Sequence, residues 1–186
     1  MANPRALVLL ATGAEEMEVT ITVDVLRRAG IEVTLASLEP AADVTCSRGL
    51  RLVPDVALDD VPRETRFEAL ILPGGLGGAE RLAASVAVGD RLRAQLAAGG
   101  VIGAICAAPT ALLAHSIGLG QTITSHPSVR DTLLGHYDYR DDAVVTSGPF
   151  VTSQGPGTSF AFALELVRHL CGEAQAAQVR APLRLA

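Results

Sequence analysis

The stretch GVIGAICAAPTALL, residues 100–113, indicates both the fold of this chain and its chemistry. The apolar run over 100–105 is typical of a buried strand, and Pro109 suits the first turn of a helix, where its missing N–H costs nothing. Between strand and helix lies a corner of small residues around Cys106. A strand that turns sharply into a helix lifts its corner side chain out of the core. We therefore expect Cys106 to sit on a nucleophile elbow.

The position of Cys106 predicts a reactive thiol. Free N–H groups and the positive end of the following helix dipole favour the thiolate, which moves a cysteine pKa from about 8.5 into the range of roughly 3.5 to 7.5. The alternative is a small buried hydrophobe, the usual state of a free cysteine. Cys46 and Cys171 lack a strand-to-helix corner, so we interpret both as structural. Three cysteines without CxxC spacing predict neither a zinc site nor a disulfide framework.

The rest of the chain alternates short aliphatic runs with helical patterns. This alternation predicts an α/β fold with a mostly parallel sheet and helices on both faces. Ligands in such folds bind at the carboxyl ends of the strands. Residues 12–13, residues 74–75 and Cys106 each follow a predicted strand, so we expect them to gather at one edge. Strands are predicted at 6–10, 32–37, 69–72, 101–104, 143–146 and 150–153, and helices at 15–29, 87–98, 109–115 and 158–171.

The first predicted helix places a carboxyl group on its apolar face. At about 100° per residue, Glu18 falls between Val25 and Ala29 on the arc that faces the core. A carboxyl group there tends to be protonated and is then able to donate a hydrogen bond to a thiolate. A rim carboxylate paired with an arginine fits the wheel equally well, and both interpretations stay open. Glu16 falls on the solvent side, where it merely complements the helix dipole.

The same helix carries a second, narrow apolar strip. Met17 and Ile21 form this strip, and Asp24 and Arg28 flank it. Exposed apolar side chains bordered by charges are typical of a subunit interface, often a two-fold one. The strip therefore predicts a homodimer that uses the first helix.

Composition limits the class of protein. A chain of 186 residues that is 49% apolar and 19% charged can bury a substantial core and most simply forms one domain over residues 1–186. A net charge of −5 and 3% aromatic residues suit no nucleic-acid partner. The apolar run at 6–11 is too short for a membrane span, so we expect a cytoplasmic protein without a membrane partner. All fifteen basic residues are arginine, which excludes Schiff-base catalysis by lysine.

Four separated motifs follow one another along the chain: ATGAEEME at 11–18, LPGG at 72–75, AICAAPTALL at 104–113 and SQGPGTSF at 153–160. Together they resemble the DJ-1 family of the DJ-1/ThiJ/PfpI superfamily, in family order and over nearly the whole chain. The resemblance implies a flavodoxin-like three-layer sandwich. It also implies a homodimer built partly on the first helix, in agreement with the apolar strip described above.

The resemblance further implies the residues of an active site. Residue by residue, it makes Cys106 the reactive cysteine, Glu18 its partner acid and His126 the active-site histidine. It also assigns an oxyanion-binding backbone to the turn Gly74-Gly75 and the N–H of Ala107. The proline after His126 holds this histidine extended. Without the resemblance, a lone histidine near a turn is commonly structural.

The activity that the resemblance implies is a glutathione-independent glyoxalase or deglycase. Such an enzyme acts through a cysteine thiolate on methylglyoxal, glyoxal or their early adducts and forms 2-hydroxy acids. No nicotinamide, flavin or metal cofactor is expected, because GGLGG at 74–78 lacks a dinucleotide or phosphate-loop spacing. The alternative is an oxidation-sensing stress protein or chaperone in which Cys106 becomes a sulfinic acid without turnover.

The peptidase and amidotransferase branches of the superfamily fit poorly. The peptidase branch places a histidine directly after its cysteine, where this chain has Ala107. The amidotransferases use a late His-x-Glu, where this chain has His126-Pro127-Ser128.

Overall fold

The computed structural model describes residues 3–40 and 43–185, and a seven-stranded sheet forms its centre. The strands in chain order are β1 (Arg5–Leu10), β2 (Glu32–Ser37), β3 (Val44–Thr45), β4 (Arg51–Leu52), β5 (Val56–Ala57), β6 (Ala69–Leu72), β7 (Val101–Ile105), β8 (Thr122–Ile123), β9 (Asp138–Tyr139), β10 (Val144–Ser147) and β11 (Phe150–Ser153). The large sheet has the order β10-β11-β7-β6-β1-β2-β5. Only the β10–β11 hairpin in it is antiparallel. The predicted mostly parallel sheet is thus confirmed.

Helices cover both faces of this sheet. They are α1 (Glu16–Arg28), α2 (Leu76–Ala84), α3 (Val86–Ala97), α4 (Pro109–Ala114), α5 (Arg130–Leu133), α6 (Ser159–Cys171) and α7 (Glu173–Leu183). One face packs against α1, α6 and α7, and the other against α2, α3 and α4. This arrangement confirms the flavodoxin-like α/β class. Within the described ranges, none of the helices is both long and apolar enough to cross a membrane.

Strand β1 shows how the sequence builds both layers. Its side chains alternate between the two faces of the sheet, as strand geometry requires. Ala6, Val8 and Leu10 belong to the apolar cluster under α1 and α6, while Leu7 and Leu9 belong to the cluster under α2, α3 and α4. All five are almost completely buried, so the strand is apolar throughout.

The carboxyl ends of β1, β6 and β7 meet at one edge of the sheet, as the sequence predicts. The N–H of Glu15 donates to the carbonyl of Gly74 at 3.0 Å, which joins the loop after β1 to the loop after β6. Gly75 has a φ of +81°, and a Cβ on it would lie 2.3 Å from the carbonyl oxygen of Gly13. Only glycine fits such a close approach. The turn that brings the loops together therefore requires its glycines.

Candidate active site

Cys106 occupies a sharp corner between β7 and α4. Its φ is +63°, in the left-handed region that L-residues rarely adopt. Hydrogen bonds on both sides hold this backbone: the N–H of Cys106 donates to Ser153 at 2.9 Å, and the N–H of His126 donates to the Cys106 carbonyl at 2.8 Å. Strain that the surroundings maintain in this way is characteristic of functional sites. The elbow expected at Cys106 is present.

Glu18 is completely buried beneath this corner, on the core side of α1. The N–H of Gly74 donates to its Oε2 at 2.7 Å, and Oε1 has no well-formed hydrogen bond in the described part of the chain. The carboxyl group is close enough to the Cys106 thiol for the two to shift each other's pKa by hydrogen bonding. Burial raises the pKa of Glu18 to about 7. Of the two interpretations left open, the geometry matches the buried acid rather than the carboxylate paired with an arginine.

Cys106 and Glu18 titrate as a pair. Burial and the facing Glu18 carboxylate raise the pKa of Cys106 to about 12, although the N–H groups of Gly75 and Ala107 oppose this rise. The direction is opposite to the one expected from the helix dipole alone, because the sulfur is buried against a carboxyl group. When the pair loses one proton, its two groups share a single negative charge. The N–H groups of Gly75 and Ala107 favour the form with a thiolate and a protonated Glu18, whereas the N–H of Gly74 favours the form with a thiol and a carboxylate.

The two glycines that follow β6 donate their N–H groups to different members of this pair. The N–H groups of Gly75 and Ala107 face the sulfur of Cys106. The N–H of Gly74, in contrast, is already donated to Glu18, so it is not free to bind an oxyanion as the sequence suggests. A Cβ on Gly74 would lie 2.5 Å from the Cβ of Cys106, so no larger residue fits between thiol and acid.

His126 lies on the wall of the cleft above Cys106, and its ring is held from one side. Its Nδ1 accepts the backbone N–H of Ser128 at 3.2 Å and lies 2.8 Å from the Ser128 hydroxyl. Because Nδ1 accepts this hydrogen bond, a neutral His126 ring carries its proton on Nε2. The structure thus brings His126 to the same cleft as Cys106, with its main chain attached to the elbow.

The cleft outside Cys106 has a volume of about 460 Å³. Several of its residues are not predicted as site residues from the sequence, above all Glu15 and the polar pair Ser47-Arg48 from the β3–β4 turn. The polar stretch around Cys46 indicates that Ser47 and Arg48 lie in an exposed turn. The neighbouring sequence does not indicate that this turn approaches Cys106. The residues that line the cleft are Gly13, Glu15, Ser47, Arg48, Gly75, Leu76, Gly77, Cys106, Ala107, His126, Ser128 and Pro156.

The solvent-side position expected for Glu16 is wrong. Glu16 is only 8% exposed, because the β3–β4 turn covers it. Its carboxylate accepts the Ser47 hydroxyl at 2.9 Å, the N–H of Arg48 at 2.9 Å and the N–H of Leu50 at 3.4 Å. Burial raises the pKa of Glu16, but these hydrogen bonds outweigh burial and lower it overall. A helical wheel identifies the face of a residue but not a distant turn that folds over it.

The other two cysteines are not at the cleft. Burial raises the pKa of Cys46 to about 11, with a further contribution from the charge of Glu16. Burial also raises the pKa of Cys171. Both side chains pack against the apolar core and neither lies at a strand-to-helix corner, in keeping with a structural role. Among residues 3–40 and 43–185, no cluster of three or more histidine, cysteine or acidic side chains has the arrangement of a metal site.

Comparison with known proteins identifies the family. Residues 4–169 match the model of the DJ-1/PfpI family. Over its whole length the chain is 51% identical to the Parkinson disease protein 7 homolog of Danio rerio, of which it covers 99%. It is 47% identical to the glutathione-independent glyoxalase DJR-1.2 of Caenorhabditis elegans, with 100% of this chain and 98% of that protein covered. The crystal structure of Drosophila melanogaster DJ-1beta superposes with a TM-score of 0.97 at 46% identity, and each chain is covered completely. The chain belongs to the DJ-1/PfpI family.

Proposed function

We propose that this protein is a cofactor-independent glyoxalase that converts methylglyoxal, glyoxal or their early adducts into 2-hydroxy acids. The observation that carries the proposal is the buried carboxyl group of Glu18 against the Cys106 thiol, on an elbow whose N–H groups face the sulfur. This arrangement supplies a nucleophile, a proton carrier and donors for an oxyanion. The similarity to a nematode protein named as a glutathione-independent glyoxalase supports the same chemistry.

The first step joins sulfur to carbon. The Cys106 thiolate attacks the aldehyde carbon C1 of methylglyoxal, and the electrons of the C=O bond move to oxygen. The N–H groups of Gly75 and Ala107, which face the sulfur, are placed to stabilise this oxyanion. A proton from Glu18 then neutralises it and leaves a hemithioacetal together with the Glu18 carboxylate.

The next steps move one hydrogen from C1 to C2 of the substrate. The Glu18 carboxylate removes the C1 proton to give an enediolate, and the proton of the C1 hydroxyl moves to O2 with the assistance of His126. Glu18 then returns the abstracted proton to C2, which gives the thioester of lactate and the Glu18 carboxylate. Water cleaves the C–S bond, which releases lactate and returns the thiol. The sum is methylglyoxal plus water to lactate and a proton. C1 is oxidised and C2 is reduced within one molecule, so the reaction needs no external oxidant or reductant.

The test is lactate formation from methylglyoxal by the reduced protein and by Cys106→Ala and Glu18→Gln. We expect both variants to lose at least about a hundredfold in kcat/KM, the scale of a lost nucleophile or general base. Cys171→Ala is the matched control, because Cys171 lies outside the cleft and should retain activity. Lactate that forms no faster than in buffer, or equally fast with Cys106→Ala, would refute the glyoxalase proposal.

A second candidate function uses the same pair without turnover. Glu18 in its protonated form is placed to hydrogen-bond a sulfinate on Cys106, which would make the protein an oxidation sensor with a stress or chaperone role. Mild peroxide followed by mass spectrometry tests this function. Selective addition of two oxygens at Cys106, reduced in Glu18→Gln, supports it. Equal oxidation of all three cysteines excludes it.

We also propose that the protein is a homodimer through α1. Of the two residues of the predicted apolar strip, Met17 is 49% exposed and Ile21 is half-buried against the core. Leu50 and Val53, on either side of β4, are also exposed, at 52% and 73%. Asp24 and Arg28 beside the strip form an exposed ion pair at 2.6 Å. Exposed apolar side chains next to paired charges suit an isologous contact between two copies.

A cytoplasmic location remains a prediction from the sequence.

A further inference from the structure

A carboxylate outside the catalytic pair holds one wall of the cleft in place. Glu16 receives three donors from the β3–β4 turn: the Ser47 hydroxyl and the N–H groups of Arg48 and Leu50. Since a carboxylate binds through charge-assisted hydrogen bonds, this turn is fixed more firmly than a surface hairpin of two-residue strands would be alone. The turn is therefore attached to α1, the helix that also carries Glu18.

Within one copy of the chain, the side chain of Arg48 is accessible to a ligand in the cleft. It is exposed, and it takes part in no ion pair within the part of the chain that the structure describes. It lines the same cleft as Cys106, where it is the one arginine among the lining residues. Glu15 is the acidic residue of that lining, and its Oε2 already accepts the N–H of Glu18 at 2.9 Å. The two charged side chains of the cleft thus differ: Glu15 caps α1, and Arg48 has no ion-pair partner among the described residues.

Building on the proposed function, we propose that Arg48 determines substrate specificity and that Glu16 is its positioning residue. A guanidinium group binds a carboxylate or phosphate through two parallel hydrogen bonds. The substrate class that fits is an α-oxoaldehyde that carries an acidic group a few atoms from its aldehyde. Cys106 takes the aldehyde carbon, and Arg48 holds the acid at the mouth of the cleft.

The experiment compares two substrates that differ in one acidic group. 2-Oxopentanal is the neutral one, and 4,5-dioxopentanoate is the same dicarbonyl with a carboxylate in place of the terminal methyl group. The readout is the ratio of their kcat/KM values, because the ratio cancels any loss common to both. We expect the wild type to favour the acid and Arg48→Met to lower the ratio about tenfold, mainly through the KM of the acid. Arg48→Lys should keep part of the preference.

The matched control is Arg63→Met, since the Arg63 side chain is 87% exposed and lies outside this cleft. It should leave the ratio unchanged. A wild type without preference for the acid, or an Arg48→Met variant with an unchanged ratio, overturns the role of Arg48.

A double-mutant cycle tests Glu16. We expect Glu16→Gln to lower the ratio as well, because the turn that carries Arg48 loses its anchor. If Glu16 acts through Arg48, then Glu16→Gln combined with Arg48→Met should lower the ratio no further than Arg48→Met alone. A Glu16→Gln variant that is less stable but keeps the wild-type ratio overturns the positioning role, because a purely structural carboxylate would affect stability only.

A binding assay separates this inference from the proposed function. Levulinate and 2-pentanone differ by a carboxylate and are not glyoxalase substrates, and each is tested for protection of Cys106 against iodoacetamide. We expect levulinate to protect the wild type more strongly than 2-pentanone, and to lose that advantage in Arg48→Met. If neither dicarbonyl is turned over but this pattern holds, the glyoxalase proposal fails and the acid site stands. Equal protection by the two compounds overturns the acid site.

Discussion

At the scale of single residues, one shared proton couples the thiol of Cys106 to the carboxyl group of Glu18. Because burial raises the pKa of Glu18 to about 7, the pair should lose its first proton near neutral pH. The rate of Cys106 alkylation by iodoacetamide should therefore rise through an inflection near pH 7. In Glu18→Gln the amide cannot ionise, so this inflection should disappear and the thiol should titrate alone at higher pH. Profiles that coincide for the two proteins, at about 8.5 as for a free thiol, would contradict the coupling.

The same carboxyl group makes stability depend on pH. Glu18 has a raised pKa in the folded state, about 7 against a usual 4.5. Its favourable contribution is therefore fully present below pH 4.5 and is lost as the pH rises through 7. At about 1.4 kcal/mol per pKa unit, ionisation in the buried site costs about 3 kcal/mol above pH 7.

Glu18→Gln removes that cost, so its free energy of unfolding should exceed the wild-type value by about 3 kcal/mol at pH 8 and by much less at pH 5. Urea unfolding at the two pH values measures the difference. A variant that is destabilised equally at both would show that Glu18 is held for its hydrogen bonds rather than against its charge.

The two acidic residues of α1 show what a sequence can and cannot predict about a site. The wheel places Glu18 towards the core correctly, because the helical period alone determines its face. It fails for Glu16, because the cover over that residue comes from the distant turn 47–50. The sequence also does not show whether the pKa of Cys106 is raised or lowered. That shift depends on how deeply the sulfur is buried and on how close the carboxyl group of Glu18 lies.

At the scale of elements, helix α2 (Leu76–Ala84) is absent from the four helices that the sequence pattern predicts. Its first turn contains Gly77 and Gly78, and glycine is a poor helix former. A Cβ on Gly78 would lie 2.9 Å from the backbone of Ala14, so the close packing of α2 on the loop after β1 requires glycine there. The six predicted strands, in contrast, all occur within about a residue of their expected bounds, because β-branched and aliphatic residues mark each of them.

The two glycines of α2 give a matched pair of substitutions. Gly78→Ala should destabilise the protein by about 1–3 kcal/mol, since its methyl group would clash with backbone atoms that cannot move freely. Gly77→Ala meets nothing closer than 3.5 Å, at the flexible end of Arg81, so it should be neutral or stabilising by up to about 1 kcal/mol. Urea unfolding measures both. Effects of the same sign and size would mean that helix propensity, and not contact with Ala14, explains the glycines.

At the scale of the whole molecule, the central sheet joins distant parts of the chain. Strand β1 near the start pairs with β6, and β11 near the end pairs with β7. A sheet interleaved in this way should unfold as one unit, which is the single domain that the length of the chain predicts. Thermal unfolding followed by circular dichroism and by calorimetry should then give one coincident transition. Two separable transitions would contradict the single-domain prediction.

Assembly is the remaining property that belongs to the whole molecule, and the exposed strip on α1 makes it testable. Met17→Glu would place a charge in the proposed isologous contact twice, once from each copy, so the dimer should dissociate in analytical ultracentrifugation. Val86→Glu is the matched control: Val86 begins α3 on the opposite face of the sheet and is 74% exposed, so its charge should leave the assembly unchanged. A wild type that sediments as a monomer at micromolar concentration would refute the homodimer, and a Met17→Glu variant that stays dimeric would show that the interface does not use Met17. Glu16 and Glu18 lie on either side of Met17 on α1, and both contact parts of the cleft. If two copies meet at Met17, dissociation of the dimer should therefore disturb the cleft. The KM for methylglyoxal should then change with protein concentration near the dissociation constant of the dimer.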